Sequence, residues 1–122
     1  MDWFEKDIED IERLPTLTEL DPATGNYLPI DLTPLTEIIV KVFYHKTLKV
    51  LDVYTFTGGT VEEVAPLANG QIRFVVPASV TRAGKLGKYF YQIQTSEPNI
   101  TFPGSIRLNS YSGWCFGLKG SV

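Results

Sequence analysis

The chain offers very few side chains of the types that carry out catalysis or bind metals. Among its 122 residues there is one histidine, His45, and one cysteine, Cys115. A nucleophilic hydrolase needs a base and an orienting acid beside its nucleophile, and a zinc site draws on several Cys and His side chains. The Gly-x-Ser-x-Gly motif of many hydrolases is also absent from the sequence. We therefore predict no catalytic residues, no metal ligands and no cofactor, and we interpret His45 as a solvated turn residue.

Two further patterns have a superficial likeness to reactive sites. Asp52, Glu62 and Glu63 could be paired as glycosidase carboxylates, but nothing in the sequence indicates a cleft that would separate their pKa values. Residues 84–88 are rich in glycine and lysine, yet they lack the spacing of a phosphate loop and precede a predicted strand. Charged residues around turns are usually solvated. The same interpretation applies to a local basic group that comprises Arg82, Lys85 and Lys88.

Two groups of apolar side chains near the chain ends are candidates for contacts with other proteins. The first group comprises Trp3, Phe4, Ile8 and Ile11. The second group comprises Tyr111, Trp114 and Phe116. Exposed aromatic patches often mark interfaces, whereas buried ones fill cores. The sequence leaves both alternatives open for both groups, so we name them as a possible partner interface.

The composition predicts one globular domain. Apolar residues make up 43% of the chain, charged residues 20%, and the formal net charge is -3. That charge gives no footprint for nucleic acid, and a single cysteine allows no intrachain disulfide. The N-terminus lacks the basic start and apolar run of a secretion signal, and no stretch approaches the ~20 apolar residues of a membrane helix. We therefore expect a cytoplasmic product without a nucleic-acid or membrane partner.

Alternating side chains predict several strands, of which residues 84–95 form the clearest. Its apolar face would contain Tyr89, Tyr91, Ile93 and Thr95. The same alternation predicts strands at residues 37–45 and 48–57, and the short turn between them predicts an antiparallel hairpin. Another strand is predicted at residues 71–76, after an Asn-Gly turn. Two short extended pieces and a last strand are expected between residues 100 and 118.

Residues 1–14 show a different periodicity. Phe4, Ile8 and Ile11 recur at helical spacing, and charged residues occupy the rest of the wheel. Asp2 could cap such a helix, and Pro15 would end it. We predict a short amphipathic helix at residues 1–14, followed by a β-sandwich domain at residues 15–122.

The predicted elements point to an all-β fold. Roughly six to eight short strands, separated by turns at intervals of about ten residues, are typical of a β-sandwich or a small barrel. Residues 87–91 also have the spacing of an immunoglobulin-type tyrosine corner, in which a tyrosine two residues before the next inward position bonds a nearby backbone group, and Tyr89 would be that residue. An ordinary core tyrosine is an equally good interpretation.

Three motifs follow one another in an order that resembles a known family. They are Leu28-Pro-Ile-Asp-Leu-Thr, Gly70-Gln-Ile-Arg-Phe-Val-Val-Pro-Ala-Ser-Val-Thr and Gly87-Lys-Tyr-Phe-Tyr-Gln-Ile. The succession resembles the small immunoglobulin-like domains of tailed-phage and prophage structural proteins, including the N-terminal domain of baseplate upper proteins. It covers about residues 28 to 107, and the residues before and after depart from the family pattern.

The resemblance implies an immunoglobulin-like antiparallel β-sandwich that acts in assembly and has no catalytic set. Its expected partners are other virion subunits or copies of itself, and its expected location is the virion or the host cytoplasm. A second hypothesis is a carbohydrate- or ligand-binding module that uses Tyr111, Trp114 and Phe116 as a stacking platform.

Overall fold

In the computed structural model, which describes residues 1–120, most of the regular structure is β-strand. The strands are β1 (Trp3–Glu5), β2 (Ile11–Arg13), β3 (Thr18–Leu20), β4 (Tyr27–Pro29), β5 (Glu37–Tyr44), β6 (Val50–Thr55), β7 (Val61–Glu63), β8 (Ile72–Val76), β9 (Gly87–Pro98) and β10 (Ile106–Lys119). A 3-10 turn at Leu67–Asn69 and one helical turn, α1 (Ala78–Thr81), lie between strands. The prediction of an all-β chain is confirmed. Over this part of the chain, no helix has both the length and the apolarity to cross a bilayer.

The strands pair into two main sheets and a small hairpin. The larger sheet has the order β1-β10-β9-β5-β6, the smaller one has the order β2-β8-β7, and β3 pairs with β4. Neighbouring strands are antiparallel except for β1, which runs parallel to the end of β10. Buried side chains of both main sheets belong to one core. Tyr54 of the larger sheet, for example, stacks on Phe74 of the smaller one with ring centroids 5.6 Å apart.

The central strands follow the alternation of their sequences. In β5 the buried side chains are Ile38, Val40, Val42 and Tyr44. Tyr89, Ile93 and Thr95 of β9 are buried as well, and the predicted hairpin of β5 with β6 is confirmed. Successive side chains of a strand point to opposite faces, so one face of each strand lies in the core and the other faces outward. The outward face of the larger sheet is therefore a continuous surface.

The predicted helix at residues 1–14 is wrong, because this segment forms β1, a turn and β2. Trp3 pairs with Gly117 in β10, and Ile11 pairs with Val76 in β8. Asp7 lies between the two strands with a φ of 65°, which no α-helix accommodates. A helix of this length is marginal alone in water. Backbone pairing with two existing sheets therefore outweighs the helical spacing of the apolar residues.

Of the two short pieces and the last strand expected between residues 100 and 118, residues 100–102 lie in a loop, and the others belong to one long strand. β10 pairs with β9 from Ile106 to Leu118 and contains a β-bulge between Trp114 and Phe116. Its glycines fit because neighbouring side chains occupy the space of a Cβ: a Cβ at Gly117 would lie 2.3 Å from the Trp3 ring. The apparent interruptions in the sequence are therefore contact points with other side chains.

Candidate functional site

An aromatic cluster lies on the outward surface of the larger sheet. Phe43 of β5, Phe90 of β9 and Trp114 of β10 are direct cross-strand neighbours. The rings of Phe43 and Phe90 are stacked with centroids 5.2 Å apart, and Trp114 meets Phe90 edge-on at 6.5 Å. Such pairs add to stability beyond their buried area. We call these three side chains the aromatic face.

The aromatic face is only partly covered by its own chain. The side chain of Trp114 is 57% exposed, and Phe43 and Phe90 are half-buried. The Lys88 ammonium lies 5.5 Å from the centroid of the Trp114 ring, in cation-π contact. His45 lies at the edge of the same ring, at 6.0 Å, and its Nδ1 is 3.0 Å from the Lys88 carbonyl oxygen. These contacts hold the indole in place while leaving much of it open to a partner.

Part of the remaining outward surface of this sheet is polar, although Trp3 and Val53 are also exposed on it. Beside the aromatic face it presents Ile39, Lys41, Gln92, Gln94 and Ser110, which line a shallow depression. Side chains of this kind form the polar rim of many interfaces, and aromatic residues form the centre. The surface thus combines an exposed aromatic centre with a polar depression beside it.

The four candidates of the N-terminal group do not form one surface. Ile11 is buried in the core, whereas Ile8 is exposed in the turn after β1. Trp3 lies on Gly117 of β10, and Phe4 is half-buried with the Arg13 guanidinium 4.9 Å from its ring centroid. A helix would have placed Ile8 and Ile11 on the same face. The strands separate them.

The three C-terminal candidates do not lie on one surface either. Trp114 belongs to the aromatic face, Phe116 is fully buried against Tyr89 with centroids 5.1 Å apart, and Tyr111 is half-buried against the core. The bulge at Cys115 inserts an extra residue, so positions 114 and 116 point to opposite faces. Sequence reasoning missed Phe43 and Phe90, although alternation places both on the outward faces of their strands.

The hydroxyl of Tyr89, the candidate for a tyrosine corner, is hydrogen-bonded to the backbone just before β9. It donates a hydrogen bond of 2.8 Å to the carbonyl oxygen of Lys85, four residues upstream. A Cβ at Gly84 would lie 2.8 Å from that hydroxyl, so the turn closes tightly over the ring. Burial raises the pKa of the Tyr89 phenol. The contact fixes the turn that leads from α1 into β9.

The reactive side chains considered in the sequence are dispersed. Burial raises the pKa of the Cys115 thiol to about 12, so the thiolate is scarce at neutral pH. Asp52 lies in the larger sheet, whereas Glu62 and Glu63 lie in β7 of the smaller one. Glu62 faces Arg73 at 3.5 Å, and burial raises the pKa of Glu63. Within residues 1–120 no three His, Cys, Asp or Glu side chains converge to hold a metal ion.

The basic residues Arg82, Lys85 and Lys88, which are close in the sequence, have different neighbours in the structure. Arg82 forms an ion pair of 3.0 Å with Asp7, and Lys88 contacts Trp114. Lys85 lines a cleft beside the start of β9.

Comparisons of the chain with protein family models and with curated proteins found no match.

Proposed function

We propose that this chain is a non-enzymatic structural module of a phage or prophage particle, in the tail or baseplate, that acts through contacts with neighbouring protein subunits. The proposal combines the resemblance of its three motifs to phage immunoglobulin-like domains with the surface of its larger sheet. The observation that carries it is the aromatic face, where Trp114 is 57% exposed beside Phe43 and Phe90.

The finer fold that we propose is an immunoglobulin-like sandwich. Three features support it: the strand orders β1-β10-β9-β5-β6 and β2-β8-β7, the single core that both sheets share, and the Tyr89 hydrogen bond at the start of β9. In such sandwiches the inner faces of two sheets form the core and the outer faces remain available. The aromatic face lies on one of these outer faces.

An anchor of this composition suits a protein partner. Interfaces are enriched in aromatic residues, and a few residues of the Trp, Tyr and Arg types contribute most of the binding free energy. Trp114 is large and exposed, and its contacts with Lys88 and His45 restrict the indole, which lowers the side-chain entropy that binding would cost. We therefore expect Trp114 to be the most important single residue of the contact.

The test is a comparison of Trp114→Ser with Tyr27→Ser. Tyr27 is 71% exposed in the β3–β4 hairpin, outside the larger sheet, so its replacement is a matched loss of an exposed aromatic ring. Each variant is co-expressed with the products of the adjacent genes, and co-purification of those products is measured. We expect wild type and Tyr27→Ser to retain a virion subunit, and Trp114→Ser to retain at least about tenfold less, as a hot-spot loss of ~1.4 kcal/mol or more implies. Equal retention by all three proteins, or by none, would contradict the proposal.

A carbohydrate-binding function is a second candidate, and the exposed indole of Trp114 is the observation that favours it. The three-residue platform expected from the sequence is not formed, because Phe116 is buried and Tyr111 faces the core. A stacking site would have to use Trp114 with Phe90 and Phe43 instead. Titration of the protein with a panel of glycans, followed by tryptophan fluorescence, separates the candidates. A saturable change that Trp114→Ser abolishes would favour the glycan function, and no change is expected for an assembly module.

A further inference from the structure

A second apolar surface lies at the far end of the larger sheet. β9 and β10 remain paired as far as Pro98 and Ile106, beyond Glu37, where β5 begins beside Ser96. The loop at residues 99–105 therefore projects from the body of the fold. Its side chains include Ile100 and Phe102, which are 95% and 67% exposed. We call this loop the tip.

The tip is shaped by its own hydrogen bonds. The side-chain oxygen of Asn99 accepts bonds from the backbone N–H groups of Thr101 and Phe102, at 2.9 and 3.2 Å. The Ser105 hydroxyl donates to the Phe102 carbonyl oxygen at 2.7 Å. A loop that is already ordered loses less conformational entropy when it binds. Phe102 is thus presented to solvent on a prearranged support.

A cleft lies at the opposite end of β9. It has a volume of about 310 Å³ between the β5–β6 turn and the loop after α1. Tyr44, Tyr89, Val50 and Leu51 supply its apolar lining, and Lys49 and Lys85 stand at its edge. This volume is at the small end of the range for ligand sites, which suits an apolar side chain or two. We call it the basic cleft.

The end of the larger sheet that carries the tip and the end that carries the basic cleft differ in the charge of their side chains. At the cleft end, Lys49 and Lys85 line the cleft and Lys46 lies in the β5–β6 turn beside it, whereas Arg82 is paired with Asp7 and Asp52 follows Leu51 in β6. Around the root of the tip the charged residues are mainly acidic. The acidic residues are Glu19, Asp31, Glu37 and Glu97. The guanidinium of Arg107 lies between two of them, 4.0 Å from a carboxylate oxygen of Glu19 and 3.5 Å from one of Glu97. Complementary charges at two ends of one chain favour contact between copies.

We propose that the tip of one copy docks in the basic cleft of a second copy, head to tail. A copy cannot fill its own cleft, since Tyr89 and Pro98 lie nine positions apart along the strand, or about 30 Å. Each contact leaves one tip and one cleft free, so the series either closes into a ring or grows into a filament. The inference rests on the proposed function and names a second copy as one of its subunit partners.

Two variants that each disable one end provide the test. Phe102→Ser removes the apolar ring from the tip without adding a charge, and Ala83→Trp fills the cleft from an exposed position that lines it. Sedimentation velocity of untagged protein is measured for wild type, each variant and their equimolar mixture. We expect wild type to form a concentration-dependent series of oligomers and each variant to remain monomeric. The mixture should form a heterodimer that does not grow, because it contains one working tip and one working cleft.

A second cleft variant and the salt dependence of self-association complete the test. Lys49→Glu with Lys85→Glu provides a second cleft variant whose changes are confined to exposed side chains, in case Ala83→Trp fails to fold. Self-association of wild type should be about tenfold weaker at about 1 M than at about 0.1 M salt, where the Debye lengths are about 3 and 10 Å. A monomeric wild type, or a mixture in which both variants stay monomeric, overturns the head-to-tail contact. Neither result affects the capture of a neighbouring subunit through Trp114, which tests the proposed function separately.

Discussion

The two halves of the β9–β10 hairpin have similar backbones and opposite environments. In the half next to β5, inward side chains such as Tyr89, Ile93 and Phe116 are fully buried. In the projecting half, which lies beyond the pairing of Ser96 with Glu37, Ile106 of β10 is exposed on the outward face, and Phe102 is exposed in the loop. A strand buries its apolar face only where a second layer covers it.

This difference separates residues that stabilise the fold from residues that are available for contacts. Apolar side chains of the inner half gain free energy by leaving water when the chain folds. Those of the projecting half remain in water in the isolated chain and can gain the same free energy only from a partner. The apolar side chains of the tip are thus available for a contact, and three comparisons of variants test this difference between the halves.

The largest expected effect comes from truncating a ring in each half. Phe116→Ala removes a fully buried ring that stacks on Tyr89, and we expect the free energy of unfolding to fall by about 3–5 kcal/mol. Phe102→Ala truncates an exposed ring in the tip and should change it by less than about 0.5 kcal/mol. Urea unfolding of both variants at a concentration that keeps the protein monomeric provides the comparison. Similar losses for the two would show that the tip belongs to the core.

A smaller effect is expected at alkaline pH, and it originates in the inner half. The Cys115 thiol has its pKa raised from 9.0 to about 12 by burial, so the unfolded chain loses this proton first. The unfolded state then binds fewer protons than the folded state, and stability falls as pH rises above 9, by at most about 1.4 kcal/mol per pH unit.

Replacement of the thiol isolates this contribution. Cys115→Ala should flatten the decline between pH 9 and 10, a window below the ordinary pKa of the buried tyrosines, which is 10.0. Ser112→Ala, at an exposed position of the same strand, should leave the decline unchanged. Urea titrations across this window measure both. An identical decline in Cys115→Ala would assign the effect to other groups.

The smallest effect concerns a single hydrogen bond. Tyr89→Phe keeps the buried ring and removes the hydroxyl that donates to Lys85, so we expect a loss of about 1 kcal/mol. Tyr27→Phe removes an exposed hydroxyl and should be neutral within about 0.5 kcal/mol. Thermal unfolding resolves the two. If Tyr89→Phe were neutral as well, the turn before β9 would be held by packing alone.

The central strands could be predicted from the sequence because each carries its own signal. β5, β8 and β9 alternate apolar and polar side chains over five residues or more, and their two faces differ clearly. The N-terminal segment lacks such a signal. Its strands have three residues each, and they exist because β8 and β10 offer backbone partners that lie far away in sequence.

The aromatic face was predicted only in part, for a similar reason. Trp114 was a candidate from its type and place, but Phe43 and Phe90 join it only because β5, β9 and β10 are adjacent in the sheet. No residue pattern in the sequence indicates the bulge at Cys115. The bulge nevertheless reverses the face to which every later side chain of the strand points. Sites formed across strands depend on pairing that local periodicity does not encode.

The parallel pairing of β1 beside the last residues of β10 has a practical consequence. Residues 3 and 117 are partners, and residue 118 is paired with Gly87 at the start of β9, so β1 and the last residues of β10 lie at the same end of the larger sheet as the basic cleft. A bulky group attached to β1 or to Lys119 would crowd that end and leave the tip unobstructed. A label that must report on both ends is therefore better attached through an engineered surface cysteine midway along the molecule.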